Sequence, residues 1–237
     1  MTTARVHHTG TLLNSGKVLV TGGYGSSGYL ASYVASYEIY DPSTGQWNTT
    51  ASMAITRAYH TATLLNSGKV LITGGYESSG YLASCEIYYP STGQWNTTAS
   101  MATARADHTA IVLNSGKVLI TGGYESSGYL ASCEIYYPST GQWNTTASMA
   151  TTTADHTATL LNSGKVLVTG GYGSSGYLAS CEIYDPSTGR WSTTANMATA
   201  RAYHTVTLLN SGKVLVTGGS GSSGYLASCE IYDPSTG

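Results

Sequence analysis

The chain has 237 residues, of which only 9% are charged, and its formal net charge is −2. So neutral a balance offers no basic surface to neutralise phosphates, which argues against nucleic acid as a partner. No stretch approaches the roughly 18 consecutive apolar residues of a membrane-spanning helix, so membrane insertion is not expected.

The N-terminal residues Met1–Arg5 lack the apolar segment of a secretory signal. They match Met101–Arg105, so the chain starts in the middle of a repeating unit. The repeat is plain from the aromatic and imidazole residues. Trp47, Trp95, Trp143 and Trp191 are spaced by 48, as are His60, His108, His156 and His204. His8 lies 52 before His60, which places a four-residue insertion in the first unit, near Tyr33–Ser36. Five units account for the chain, so the expectation is one repeat domain over 1–237, with units at about 6–53, 58–101, 106–149, 154–197 and 202–237.

The second unit serves as the type. His60–Asn66 alternates Thr with apolar residues and reads as a first strand. Asn66-Ser67-Gly68 is a turn with a residue suited to positive φ, so a hairpin follows. Within Lys69–Gly75 (KVLITGG), Val70-Leu71-Ile72 is a wholly apolar run rich in β-branched residues and too short for a helix, and reads as a strand buried on both faces. Its two glycines end the strand, because without a Cβ they accept positive φ or the close approach of another backbone. Tyr76–Ala83 reads as a loop, Ser84–Tyr89 as a third strand, Pro90–Gly93 as a turn and Gln94–Ala99 as a fourth strand. In the third, Cys85 and Ile87 lie on one face and Glu86 and Tyr88 on the other. Four short antiparallel strands in about 48 residues describe a propeller blade. The expected fold is therefore an all-β propeller of about five four-stranded antiparallel blades. The chain stops at Gly237 before a fifth tryptophan strand, so the last blade should lack its outer strand and present an unpaired edge. Two explanations compete: a longer repeat array, or an edge that assembles.

The Arg-x-x-His start, the double Gly, the Glu-x-Tyr-x-Pro of strand three and the Trp of strand four resemble kelch repeats, in phase along the whole chain. That resemblance implies propellers, usually of six or seven blades, and a loop face that commonly holds a ligand or partner. Thr153 replaces the usual Arg, and Tyr89 and Tyr137 replace the Asp found at Asp41, Asp185 and Asp233.

Antiparallel strands put the strand 2–3 loop and the strand 4–1 connection on one side of each blade. The candidate binding residues there are Tyr24, Tyr29, Tyr76, Glu77, Tyr81, Arg105, Asp107, Tyr124, Glu125, Tyr129, Tyr172, Tyr177 and Tyr225. Tyrosine offers large contact area, few rotatable bonds and a polar tip. The reading that follows is a non-catalytic scaffold for a protein or glycan. Its alternative is an extracellular structural protein, a homo-oligomer or fibre, that assembles through the open edge. Near-identical units offer no residue present once and specially placed, so no enzyme, cofactor or metal site is expected. One histidine recurs in every unit without a ligand-spaced partner, and the adjacent pair His7-His8 of the first unit cannot chelate as a helix pair would, so the histidines read as structural. Glu38, Glu86, Glu134, Glu182 and Glu230 read as scaffold carboxylates needing the repeated Arg and backbone N–H groups as partners.

Cys85, Cys133, Cys181 and Cys229 occupy one repeat position. Equivalent points on packed sheets are about 10 Å apart, beyond the ~7 Å Cα reach of a disulfide, so they read as small buried hydrophobes, with intermolecular bridging as the alternative. Asn48, Asn96 and Asn144 each begin an N-x-Thr sequon on strand four, which points to an extracellular setting.

Overall fold

The computed structural model describes residues 1–27, 30–49 and 51–236. Chain contacts divide them into two compact units, 1–107 with 137–143, and 108–136 with 144–237. Secondary structure among the described residues is entirely strand and turn.

In the first unit, the first sheet runs Thr9–Leu12, Val18–Thr21, Tyr37–Asp41, Gln46–Thr49. The second repeats the order with Thr61–Leu64, Val70–Thr73, Cys85–Tyr89 and Gln94–Thr98. The third sheet, Thr109–Val112, Val118–Thr121, Cys133–Tyr137 and Gln142–Thr146, and the fourth, Thr157–Leu160, Val166–Thr169, Cys181–Asp185 and Arg190–Thr193, have the same plan. The fifth has three strands, Thr205–Leu208, Val214–Thr217 and Cys229–Tyr232. The expected four-stranded blades and short last blade are thus observed.

The apolar strand organises each sheet. All four residues of Val70–Thr73, Val118–Thr121 and Val166–Thr169 are buried. In the fifth sheet burial alternates along Val214–Thr217, because only one face is covered. Between sheets the core is built from one pattern: Leu13, Leu19, Tyr37 and Met53 of the first repeat meet Val70, Ile72 and Tyr88 of the second. Leu113, Leu119, Cys133 and Met149 meet Val166, Val168 and Tyr184 in the same way. The outer strands are tied as well, Trp143 Nε1 donating to Ala99 O at 2.9 Å and Trp191 Nε1 to Ala147 O at 2.9 Å.

The glycine pair does what its chemistry suggests. Gly75 has φ 102°, and a Cβ there would sit 2.6 Å from Ala58 O. Its N–H donates to Arg105 O of the next repeat at 2.8 Å, so a side chain is excluded by both conformation and proximity.

Two local expectations are revised. The strand 2–3 segment is not an open loop but a small hairpin: Tyr76 pairs with Tyr81 and Glu77 with Gly80. In the first repeat the extra residues lengthen this hairpin, to Tyr24–Ser27 against Leu30–Tyr33, with Tyr24 opposite Tyr33. Ser36, not Ser32, takes the place of Ser84, since each carbonyl accepts from the arginine of its own repeat (Arg5 and Arg57). The insertion therefore lies before Tyr33, in the hairpin, rather than at Tyr33–Ser36.

Candidate functional site

The hairpins after the glycine pairs carry the tyrosines into contact. In the first unit Tyr24 and Tyr33 meet edge to face at 5.1 Å, Tyr33 and Tyr76 at 5.7 Å, and Tyr76 and Tyr81 at 4.8 Å. The second unit has a matching series: Tyr124–Tyr129 at 4.8 Å, Tyr129–Tyr172 at 5.8 Å and Tyr172–Tyr177 at 4.9 Å. All eight rings are half-buried, so each holds its neighbour in place while keeping surface available. Such offset and edge-on pairs are the favoured aromatic geometry. Burial, with smaller contributions from Tyr76 and Tyr24, pushes the Tyr33 phenol above its ordinary value. Tyr129 is raised by burial, then by Tyr172, Tyr124 and Asp155.

The series does not continue to the fifth repeat. Ser220 stands where the other repeats have Tyr, and Tyr225 is 97% exposed. Tyr29 lies outside the described residues. Tyr33 occupies the place that repeat alignment gives to Tyr29, and was missed because the insertion duplicates the local sequence, Tyr29–Ser32 and Tyr33–Ser36.

Glu77 and Glu125 border the ladder. Glu77 accepts from Thr56 Oγ1 at 3.1 Å and from Ser79; Glu125 accepts from Ser126 at 3.3 Å and from Ser127. Arg105 does not belong to this surface. It is fully buried, and the reason is visible in its equivalents. Arg57 Nη1 donates to Gly74 O at 2.7 Å and Ser84 O at 3.0 Å, and Nη2 to Ser84 Oγ at 3.3 Å and Glu86 Oε1 at 2.9 Å. The repeated arginine is a core staple, with Glu86 also accepting from the N–H groups of Ala54 and Ile55. Arg5–Glu38 and Arg201–Glu230 repeat the pair at 3.0 and 2.9 Å.

Asp107 is half-buried and has φ 54°. Its equivalents His7, Tyr59, Asp155 and Tyr203 share that left-handed conformation, which costs about 1–2 kcal/mol in a residue with a Cβ. Backbone bonds link successive copies: Tyr59 N–H to His7 O, Asp107 N–H to Tyr59 O and Tyr203 N–H to Asp155 O. His7 stacks on Tyr59 at 4.1 Å. Burial raises the Asp155 carboxyl, partly offset by a hydrogen bond from Tyr203. This position reads His, Tyr, Asp, Asp, Tyr down the five repeats, the most variable in an otherwise near-identical set. Variation of that kind was the available signal for the four residues that sequence reasoning passed over.

The following histidine is structural. His60 Nε2 lies 3.0 Å from Thr9 Oγ1 and 3.2 Å from Thr21 Oγ1 of the preceding repeat, and His204 makes the same contacts with Thr157 and Thr169. Burial, then Arg57 and His8, pulls His60 down to about 3; burial and Arg201 pull His204 down to about 4. Among the described residues no cluster of three metal-ligating side chains occurs, and no helix is long and apolar enough to cross a membrane. The cysteine sulfurs are thiols, and burial raises that of Cys181 to about 11. Cys229 departs from the buried pattern, being exposed on the uncovered last sheet.

The sequence model described as the kelch motif matches residues 5–54, 57–102, 104–150 and 156–198. The chain belongs to the kelch-repeat family. Among solved structures it is similar to one titled "Structure of YjhT", with a TM-score of 0.80 and 17% identity over 97% of this chain and 84% of that one. That likeness bears on the fold, a kelch β-propeller. No curated protein matches the sequence. Kelch propellers are commonly protein-interaction scaffolds.

Proposed function

We propose that this kelch protein is a non-catalytic binding scaffold whose tyrosine ladders hold a protein or glycan. The observation that carries the reading is the continuous series Tyr24–Tyr33–Tyr76–Tyr81, repeated as Tyr124–Tyr129–Tyr172–Tyr177. Rings locked by their neighbours lose little entropy when a ligand packs on them, and tyrosine pairs that contact area with a polar tip. Glu77 and Glu125 add acceptors beside the rings. A repetitive ligand meets several near-identical sites and gains from avidity. Catalysis is not part of this reading, because the units differ in few positions and chemistry needs a group placed once.

The test is a binding screen against glycans and peptides, followed by Tyr76→Ala and Tyr172→Ala. Each substitution removes the ring shared by two repeats and is expected to weaken binding about tenfold or more, in line with 1–3 kcal/mol for an aromatic anchor. Tyr225→Ala, outside either ladder, should leave affinity unchanged. Equal effects from all three would sink the proposal.

A second reading, assembly of an extracellular fibre or oligomer, is favoured by one observation. The strand Cys229–Tyr232 has an outer edge with no partner strand among the described residues, and Ile231 on it is 60% exposed. Light scattering across a concentration range tests it, a constant mass near 24.7 kDa speaking against assembly. For the extracellular setting, Asn48, Asn96 and Asn144 are exposed on outer strands, where a glycan would find room.

A further inference from the structure

The fourth repeat breaks the arginine pattern and leaves the arginine's acceptors in place. Glu182 is 3% exposed, and accepts from Ala150 N–H at 2.8 Å and Thr151 N–H at 2.9 Å, as Glu86 does from Ala54 and Ile55. In the first, second and fifth repeats a guanidinium then completes the set, joining the glutamate, a serine hydroxyl, a serine carbonyl and a glycine carbonyl. In the fourth, Thr153 stands at the arginine position. Its hydroxyl reaches Gly170 O at 2.9 Å and Ala154 O at 3.4 Å, and makes no hydrogen bond to Glu182 or Ser180. Glu182 has no cationic partner among the described residues, and Ser180 Oγ makes no hydrogen bond among them.

A carboxylate so buried is costly without a counter-charge. The local backbone registers the difference too: the Gly170 N–H to Ser180 O bond is 2.9 Å, against 3.2 Å at Gly22–Ser36, Gly74–Ser84 and Gly218–Ser228, where the arginine shares the same carbonyl. Thr153 is smaller than arginine by most of a guanidinium-bearing side chain. Thr151, Thr152 and Ser180 are partly exposed, so solvent reaches the edge of the site.

We propose that the fourth repeat holds a binding site for a small guanidinium-type cation, formed by Glu182, Ser180 and the strand-end carbonyls that bind arginine in the other repeats. The geometry is already tested three times within the same chain, with the cation attached through the backbone. The head group is planar, donates to Glu182 Oε1 and Ser180 on one side, and is supplied either as a free small cation or as the tip of an arginine side chain. The site is separate from the tyrosine ladder and does not depend on it.

The experiment is thermal unfolding of the full chain in low-millimolar to 50 mM guanidinium or methylguanidinium chloride, against sodium chloride at equal ionic strength. The wild-type melting temperature is expected to rise by about 2–4 °C when the cation is at roughly five times its dissociation constant. Thr153→Arg supplies the group in cis, so it should melt higher than wild type and lose the response. Glu182→Gln removes the acceptor charge and should lose the response to the cation, whatever its melting temperature in sodium chloride. Arginine amide distinguishes the two sources: a response to it extends the site to an arginine side chain, and a response to guanidinium alone confines it to the free ion. Equal melting behaviour of wild type and Glu182→Gln in guanidinium, or a Thr153→Arg protein that is less stable than wild type or fails to fold, would overturn the proposal.

Discussion

The arginine–glutamate staple shows how a single buried pair is made tolerable. Arg57 and Glu86 are both essentially inaccessible to water, and attraction alone does not compensate for removing two charges from solvent. What offsets the cost is hydrogen bonding: both carboxylate oxygens and both terminal guanidinium nitrogens have partners, and of the guanidinium only Nε lacks one. Removing one member therefore costs more than the pair contributes. Arg57→Ala is expected to destabilise by about 3–5 kcal/mol, because Glu86 remains charged and buried. Arg57→Ala combined with Glu86→Gln should recover part of that loss. Chemical denaturation checks both, and a double variant no better than the single one would contradict the argument. The carboxylate's need for a partner was legible in the sequence from its repetition within a strand. The burial of Arg105 was not, because a charged residue beside a ligand-facing connection reads equally well as surface until its acceptors are seen.

At the scale of the strand, Val-Leu-Val/Ile-Thr is informative because it has no polar face. Its burial on both sides depends on neighbours packing against each face, which repetition supplies. Leu119 is 0% exposed, while its equivalent Leu215, on the uncovered sheet, is half-buried. Leu119→Ala should cost about 2–5 kcal/mol and leave a cavity. Leu215→Ala should cost clearly less, since water already reaches one side and no enclosed void forms. Denaturant midpoints of the two variants provide the comparison, and equal losses would show that the last sheet is covered in solution. Strand positions and turns were legible because period, apolar runs and Gly turns agree on the same register. The small hairpin of the tyrosine segment was not, since YESSGY is short and polar and pairs only because the preceding glycines and the next repeat hold its ends. The first repeat's register failed for a different reason. YLAS followed by YVAS offers two alignments of equal sequence quality, and only Arg5 bonding to Ser36 selects between them. The same choice brings Tyr33 into the ladder.

Across the molecule, repetition multiplies titrating groups as well as strands, and the consequence is a common response to acid. His60 and His204 are held neutral in the folded state, at about 3 and about 4, mainly by burial. Unfolded, each titrates near the ordinary value of about 6.5. Between those limits the unfolded chain binds protons that the folded chain refuses, so stability falls as pH falls. The window opens near pH 6.5 and extends to about pH 4 for His204 and about pH 3 for His60. Within it each histidine removes about 1.4 kcal/mol per pH unit. Glu38 and Glu230 work in the same direction at lower pH. Burial would raise them, but donors from Thr2, Thr3 and Arg5, and from Ala198, Thr199 and Arg201, leave both below the usual carboxylate range. Their stabilisation is present above about 4.5 and is lost as pH drops through the lower folded value. Urea denaturation at pH 7, 6 and 5 should therefore show little change near neutrality and a steepening loss beneath it. His60→Gln, which keeps a hydrogen-bonding group toward Thr9 and Thr21 without a proton to gain, should be less stable at pH 7 yet less sensitive between pH 6 and 5. Parallel wild-type and variant profiles over that interval would mean that His60 is protonated in the folded protein, and the histidine bridge would then have to be a charged one.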